Sequence, residues 1–330
     1  VTMLPIIPRA NESSKPWAQR SVLTFFLLIA SSLPQLAAAP SGNLSSVGSD
    51  TLHQVMQLWG EEYNRRFPEV NFQLQSNGSS TAPVALIEGT AGLGPMSRMM
   101  RETELQQFTQ RFGYPPTAVP VAIDLLAVYV HPANPLKQIS LPQLDAMFSI
   151  NRRCGGVNDI QQWGDLGLPG RWQSRFINLY SRNSVSGTYG YFKQFVLCNG
   201  DIKARTNQLA GSSAMLKAIS QSESGIGYSG IGYANVGVKV LPLLLANGSV
   251  VAPTVANALA GNYPLARQLY IYVNYEPGKP LAANEQAFLS LVLSRNGQKL
   301  VGQDGFLPLP VATIEHWRAL LGLPAELAQP

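Results

Sequence analysis

The residues best equipped for chemistry stand together in Ser181-Arg182-Asn183-Ser184-Val185-Ser186-Gly187-Thr188-Tyr189-Gly190. The apolar run Phe176 to Tyr180 before them predicts a buried strand, and Tyr191 to Leu197 after them has a spacing that suits a helix. A strand that ends in Ser-Gly-Thr and turns into a helix aims hydroxyls and unpaired backbone N–H groups at one spot. The positive end of the helix dipole lies there too, so the spot attracts anions. Arg182 adds a permanent charge and a planar fork that matches two oxygens of an oxyanion. Gly187 lets a ligand approach the main chain. The chemistry implied is capture of a small tetrahedral anion. The same residues also suit an ordinary helix start, with Ser186 or Thr188 as its cap and Arg182 on the surface.

The elements that would position such a site recur along the chain. Leu44 to Leu52 reads as a short strand ending in Gly48-Ser49-Asp50-Thr51. Leu52, Val55, Met56, Leu58, Trp59 and Tyr63 then fall on one face of a helix that ends near Arg66, before Pro68. Val70 to Leu74 alternates as a strand, followed by Asn77-Gly78-Ser79-Ser80-Thr81 and a helix over 83–88. Leu93 to Met96 is strand-like and ends in Ser97-Arg98. With the opening stretch these make four strand-to-helix junctions rich in small hydroxylated residues. One such junction is usually a cap. Four fit a sheet whose carboxyl edge gathers donors around one ligand. The alternation of strands and helices implies α/β architecture with mostly parallel sheets.

Two long apolar strands, Ala118 to Val130 and Leu269 to Asn274, look like crossings between lobes. They divide the chain into lobe one, 40–124 plus 268–330, and lobe two, 125–267. Core strands of two consecutive domains would give the same pattern. Within lobe two, Leu141 to Phe148 reads as a helix with Pro142 at its start, and Gly225 to Tyr233 as a tight strand and turn. Helices over 284–293, continued to 301, and over 311–321 close the chain.

At 330 residues the chain exceeds most single cores, and a soft prior of about 150 residues per domain suggests two domains. Charged residues are 13% and hydrophobic ones 45%, which fits a globular protein with a sizeable core. Of the net charge of +5, residues 1–39 hold Arg9, Lys15 and Arg20 against Glu12, or +2, leaving +3. No basic run is interleaved with aromatics, so nucleic acid is not expected. Residues 1–39 read as a secretory signal peptide: Lys15 and Arg20, a short apolar core from Val22 to Ala30, then Ala37-Ala38-Ala39. The core is too short to span a bilayer comfortably. In an exported chain the two cysteines, Cys154 and Cys198, favour one disulfide; two free buried thiols are the alternative. His53, His131 and His316 lack partners at metal-ligand spacing, and no nucleophile elbow or nucleotide fingerprint appears. Metal, cofactor and enzymatic activity are therefore not expected.

The pattern Arg182-x-x-x-Ser186-Gly187-Thr188, with Gly48-Ser49-Asp50-Thr51 and Gly78-Ser79-Ser80, resembles the PstS-type phosphate-binding proteins of bacterial ABC transporters. The likeness extends through Ser79 to Thr90, Ile123-Asp124, Leu269 to Asn274 and Gly305-Phe306-Leu307-Pro308-Leu309-Pro310. It implies a two-lobed type II periplasmic binding fold, each lobe a sheet flanked by helices, joined by two crossing hinge strands. It also implies a monomer in the periplasm, or outside the cell, that delivers inorganic phosphate to a permease in the inner membrane. Carried over by position, Thr51 and the Leu52 amide, Ser79, Arg182, Ser186 and the Gly187 and Thr188 amides would hold the anion. One position departs from the family: Ser97 stands where many members have an aspartate that accepts the proton of phosphate. Asp50 is the expected substitute acceptor, with Asp124 behind it, although Asp50 also suits a helix cap. Leu125 stands where the family leads one to expect glycine. Rival readings are a binder of another oxyanion (sulfate, molybdate or phosphonate) and an exported phosphohydrolase.

Overall fold

Strand β1 (Gly42–Val47) and strand β2 (Val70–Gln75) pair in parallel around helix α1 (His53–Arg66). The computed structural model describes residues 39–234 and 237–324, so the leader read over 1–39 lies outside the described residues but for Ala39. Helix α1 forms where its pattern predicts because Val55, Met56, Trp59 and Tyr63 make one buried stripe. Its last turn carries Arg65 and Arg66, which suit the negative end of the dipole and both pair with Glu62. After β2, a single turn over Ser79–Thr81 leads into α2 (Ala82–Ile87), then β3 (Gly94–Met96) and α3 (Glu102–Phe112).

The long strand β4 (Thr117–Val130) is buried along most of its length. A short strand β5 (Ile139–Ser140) follows, then α4 (Leu141–Phe148), β6 (Asn178–Arg182), α5 (Gly187–Phe195), β7 (Asn207–Leu209), α6 (Ser212–Ser220) and β8 (Gly225–Gly230). The short strands β9 (Lys239–Leu241), β10 (Leu243–Leu244) and β11 (Val250–Val251) and helix α7 (Val255–Leu259) precede the second long strand, β12 (Ala266–Val273). Helices α8 (Ala283–Val292), α9 (Arg295–Gln303) and α10 (Val311–Leu320) complete the described chain. The predicted strand before Arg182 starts two residues later than expected, so that Arg182 is its final residue.

A seven-stranded sheet runs β3-β12-β4-β8-β6-β7, with β9 also on β4. The first half of β4 pairs with β12 and its second half with β8 and β9. The register shifts between Leu269 and Tyr270, opposite Ala122 and Pro120; proline has no N–H to give the ladder, and the bulge falls beside it. The expectation of mostly parallel sheets needs correction here. Parallel pairing holds for β1–β2, β6–β7, β6–β8 and β5–β10. Every pair made by β4 or β12 is antiparallel. These two strands run against each other.

The interior divides into clusters. One packs Leu44, Trp59, Tyr63, Val121, Phe288 and Val301 together with Met215 and Ile219 of α6. A second packs Leu126, Leu144, Phe148, Trp163, Phe192 and Tyr228, with the Phe192 and Tyr228 rings stacked 3.7 Å apart. A third, smaller one joins Leu86, Met96, Phe108 and Tyr272. The expected disulfide is present: Cys154 and Cys198, with Cα atoms 5.2 Å apart, fasten the loop after α4 to the chain just past α5.

Candidate functional site

The β6–α5 turn has both characters foreseen for it. Ser186 is the cap of α5, its Oγ accepting from the Tyr189 N–H at 3.3 Å. Arg182, however, is not on the surface: it is 1% exposed. Its Nη1 donates to Ser212 Oγ at 2.8 Å, its Nη2 to the Ala210 carbonyl at 2.6 Å, and Asp50 Oδ2 lies 3.1 Å from Nη2. Burial pulls the Arg182 guanidinium below its ordinary range, while Asp50 beside it acts the other way. Its Nε is buried without a hydrogen-bond partner. A buried, unmatched donor on a charged group is costly, and a ligand oxygen would relieve that cost.

Gly187 opens α5 at a place with no room for a side chain. A Cβ there would lie 2.3 Å from Ser79 Oγ and 2.5 Å from Ser97 Oγ. The neighbouring Thr188 is buried, and its Oγ1 sits 2.7 Å from Thr51 Oγ1. Thus the start of α5 meets the approaches to α1, α2 and α3 in one seam. Ser79 Oγ accepts from the Ser97 N–H at 3.0 Å and lies 3.3 Å from Ser97 Oγ. The Ser80 N–H donates to the Val185 carbonyl at 3.1 Å, and Gly78 takes φ +114° directly beneath that carbonyl. Leu52 is the residue before α1 and buries its side chain completely; what it offers the seam is main chain.

Asp50 does not cap α1, which has no side-chain cap bond. Its Oδ2 instead accepts from the Ser212 N–H at 2.9 Å and meets Arg182. The Tyr233 hydroxyl donates to the Asp50 and Thr51 carbonyls at 2.9 and 3.1 Å. Asp124, the second acceptor candidate, is already committed. Its Oδ2 accepts from Arg267 Nε and Nη2 at 3.0 and 2.7 Å, and its Oδ1 from the Ile231 N–H at 3.2 Å. Arg98 is gripped by Glu104 through two bonds of 2.7 Å, and its Nη2 also donates to Ser80 Oγ at 3.0 Å beside the seam.

The structure therefore brings together Asp50, Thr51, Leu52, Ser79, Ser97, Arg182, Ser186, Gly187 and Thr188. It adds Ser212, Tyr233 and, above all, Arg267, none of which the motif pattern assigns to the site. Arg267 is buried; beyond Asp124, it donates to the Ser97 carbonyl at 3.0 Å and to Thr188 Oγ1 at 2.9 Å, with the Tyr191 ring 5.1 Å from its carbon. A signal for it exists: an arginine and an aspartate on two apolar strands that cross. The strand predicted to begin at Leu269 begins at Ala266, and the register sets Arg267 opposite Asp124. Among the described residues no group of His, Cys, Asp and Glu could hold a metal ion.

Helices flanking a sheet through which the long strands β4 and β12 run antiparallel, with a polar seam between helix starts, fit the α/β two-lobed type II periplasmic-binding fold. A family model described as a PBP superfamily domain matches residues 34–296. The chain belongs to that superfamily and, within it, to the PstS family. It is 54% identical over 290 residues to the phosphate-binding protein PstS of Pseudomonas aeruginosa, covering 88% of this chain and 90% of that one. It is 29% identical to the protein SphX of Synechococcus elongatus, covering 90% and 87%. Among solved structures, a putative phosphate ABC transporter substrate-binding protein with bound phosphate from Clostridium perfringens aligns with TM-score 0.67 at 24% identity, over 81% of this chain and all of that one. An ABC-type phosphate transport receptor from Vibrio cholerae aligns with TM-score 0.64 at 22% identity, over 81% and 100%. These structural matches establish the fold.

Proposed function

We infer that the protein is the phosphate-binding component of an ABC transporter: it captures inorganic phosphate in the seam between its lobes and hands it on, performing no chemistry on it. The observation that carries this reading is Arg182, a buried guanidinium with an unmatched Nε on the last residue of the strand that runs into the α5 start at Ser186 and Gly187. A permanent charge with donors in fixed directions suits an oxyanion, and each charge-assisted bond is worth roughly 1.5–3 kcal/mol. Thr51, Ser79, Ser186 and the Leu52, Gly187 and Thr188 amides supply the other donors. The hydroxyl pairs Thr51–Thr188 and Ser79–Ser97 border the place the ligand would take.

The ligand would bridge lobe one (40–124 plus 268–330) and lobe two (125–267), turning about β4 and β12, and shift an open–closed equilibrium. Residues 1–39 would direct export to the periplasm or beyond, where a monomer docks to its permease. Kinship with proteins named for phosphate binding supports this reading. Asp50 is the acceptor of the phosphate proton in this scheme. Ser97 is neutral, and Asp50 is the seam carboxylate not locked to Arg267.

Calorimetric titration of the ligand-stripped protein with phosphate, then sulfate, at neutral pH tests the scheme. Tight phosphate binding with no sulfate signal is expected, since sulfate has no proton to give an ionised carboxylate. Asp50→Asn is expected to narrow the gap between the two anions. Equal binding by the parent protein would make it a general oxyanion binder, and an unchanged gap in the variant would remove Asp50 from the role.

A further inference from the structure

We propose that Arg267 is a positioning residue for the bound anion: by donating to Thr188 it leaves the Thr51–Thr188 hydroxyl pair poised as an outward donor, and it ties the seam to the strand β12. The inference rests on the phosphate reading of the seam. A guanidinium can only donate. Arg267 Nη2 therefore fills an acceptor position on Thr188 Oγ1, 2.9 Å away. Thr188 and Thr51 hold two hydroxyl protons between them, and one of these is used across their 2.7 Å contact. The other must leave the pair, and with Thr188 already supplied by Arg267 the pair is set to donate to a deprotonated oxygen.

The same guanidinium reaches the other side of the seam. Its Nη1 donates to the Ser97 carbonyl at 3.0 Å, fixing the turn whose N–H and hydroxyl engage Ser79. Two bonds to Asp124 Oδ2 hold the fork in place, and Tyr191 lies across its face. One side chain on β12 thus fills an acceptor position on Thr188 and ties the Ser97 turn to the same strand. Asp124 keeps the local charge balanced without occupying the donors aimed at Thr188 and Ser97.

A purely structural ion pair would give a different result from a positioning residue, and inorganic phosphate titrations separate them. Arg267→Gln is expected to weaken phosphate binding roughly 10- to 100-fold, the range for losing a charged donor, and Arg267→Lys to retain most of it. Because Arg267→Gln leaves Asp124 buried without its partner, the companion is Arg267→Gln with Asp124→Asn, a neutral pair expected to recover the melting temperature but not the affinity. Thr188→Val, alone and combined with Arg267→Gln, should cost nearly the same factor, since Arg267 acts through Thr188. Parent-like phosphate affinity in the neutral pair, or losses that multiply in the Thr188 combination, would overturn the proposal while leaving the phosphate site standing. A parent protein that binds no phosphate would instead overturn the phosphate reading itself, and this role with it.

Discussion

Gly187 carries a constraint that no other residue type can meet. Its backbone is helical, so alanine would suit the conformation and even favour the helix. What forbids a side chain is the pair of serine hydroxyls within 2.5 Å of the added carbon. The penalty therefore belongs to the closed seam and not to the helix. Gly187→Ala is expected to keep the melting temperature within a few degrees of the parent and to lose phosphate affinity by about 100-fold or more, the equivalent of some 3 kcal/mol. Thermal unfolding and calorimetry on the same sample check both halves; unchanged affinity would mean that the close approach of α5 to Ser79 and Ser97 is not needed for capture. The glycine, the hydroxyls and Arg182 were legible in the sequence because each is a residue type with few uses and they stand at strand-to-helix junctions. Arg267 was not, because its partners Asp124, Ser97 and Thr188 lie between 79 and 170 positions away and only strand register unites them.

Elements whose signals are local were read well. Helix α4 starts at Leu141 as expected because Ser140 and Gln143 cap it reciprocally and Pro142 fits its first turn. The direction of a strand relative to its neighbour has no local signature, so the antiparallel pairs along β4 and β12 escaped the pattern. The disulfide is also a device at the scale of the element. It joins two loops, around Arg152 and Asn199, in which both of these residues take positive φ. The separation of 44 residues gives a loop-closure stabilisation of about 4 kcal/mol in the chain-entropy model. Replacing Cys154 and Cys198 by serine is expected to lower the melting temperature by several degrees, and a reductant should do the same to the parent. Phosphate affinity should stay within a factor of about three, since neither cysteine contacts the seam; this margin is under about 0.7 kcal/mol. A large loss of affinity at an unchanged melting temperature would refute that division of labour.

At the scale of the whole molecule, one carboxyl reports on how its parts are fitted together. Asp304 follows α9, a helix end where a negative charge is unfavourable. Its backbone carbonyl packs on Gly232, in the turn after β8, and the Val55 N–H in the first turn of α1 donates to its side chain. Burial dominates and pushes its pKa up from 3.8 to about 7, against the smaller lowering by Val55. The folded state therefore holds this proton more tightly than the unfolded chain. The resulting contribution to stability is fully present below about pH 4 and is lost as the pH rises through about 7. Most carboxylates paired with arginine act in the opposite sense; Glu104, whose pKa Arg98 helps to lower against the opposing pull of burial, adds stability that falls away in acid. Asp304→Asn keeps an oxygen for the Val55 N–H and removes the charge. The variant should melt above the parent at pH 8, with the difference shrinking through pH 7 to 5 and vanishing near pH 4. Parallel melting profiles for parent and variant across that range would show that Asp304 is ordinary in the folded state. A gain that persists into acid would trace the effect to helix α9 and not to the buried proton.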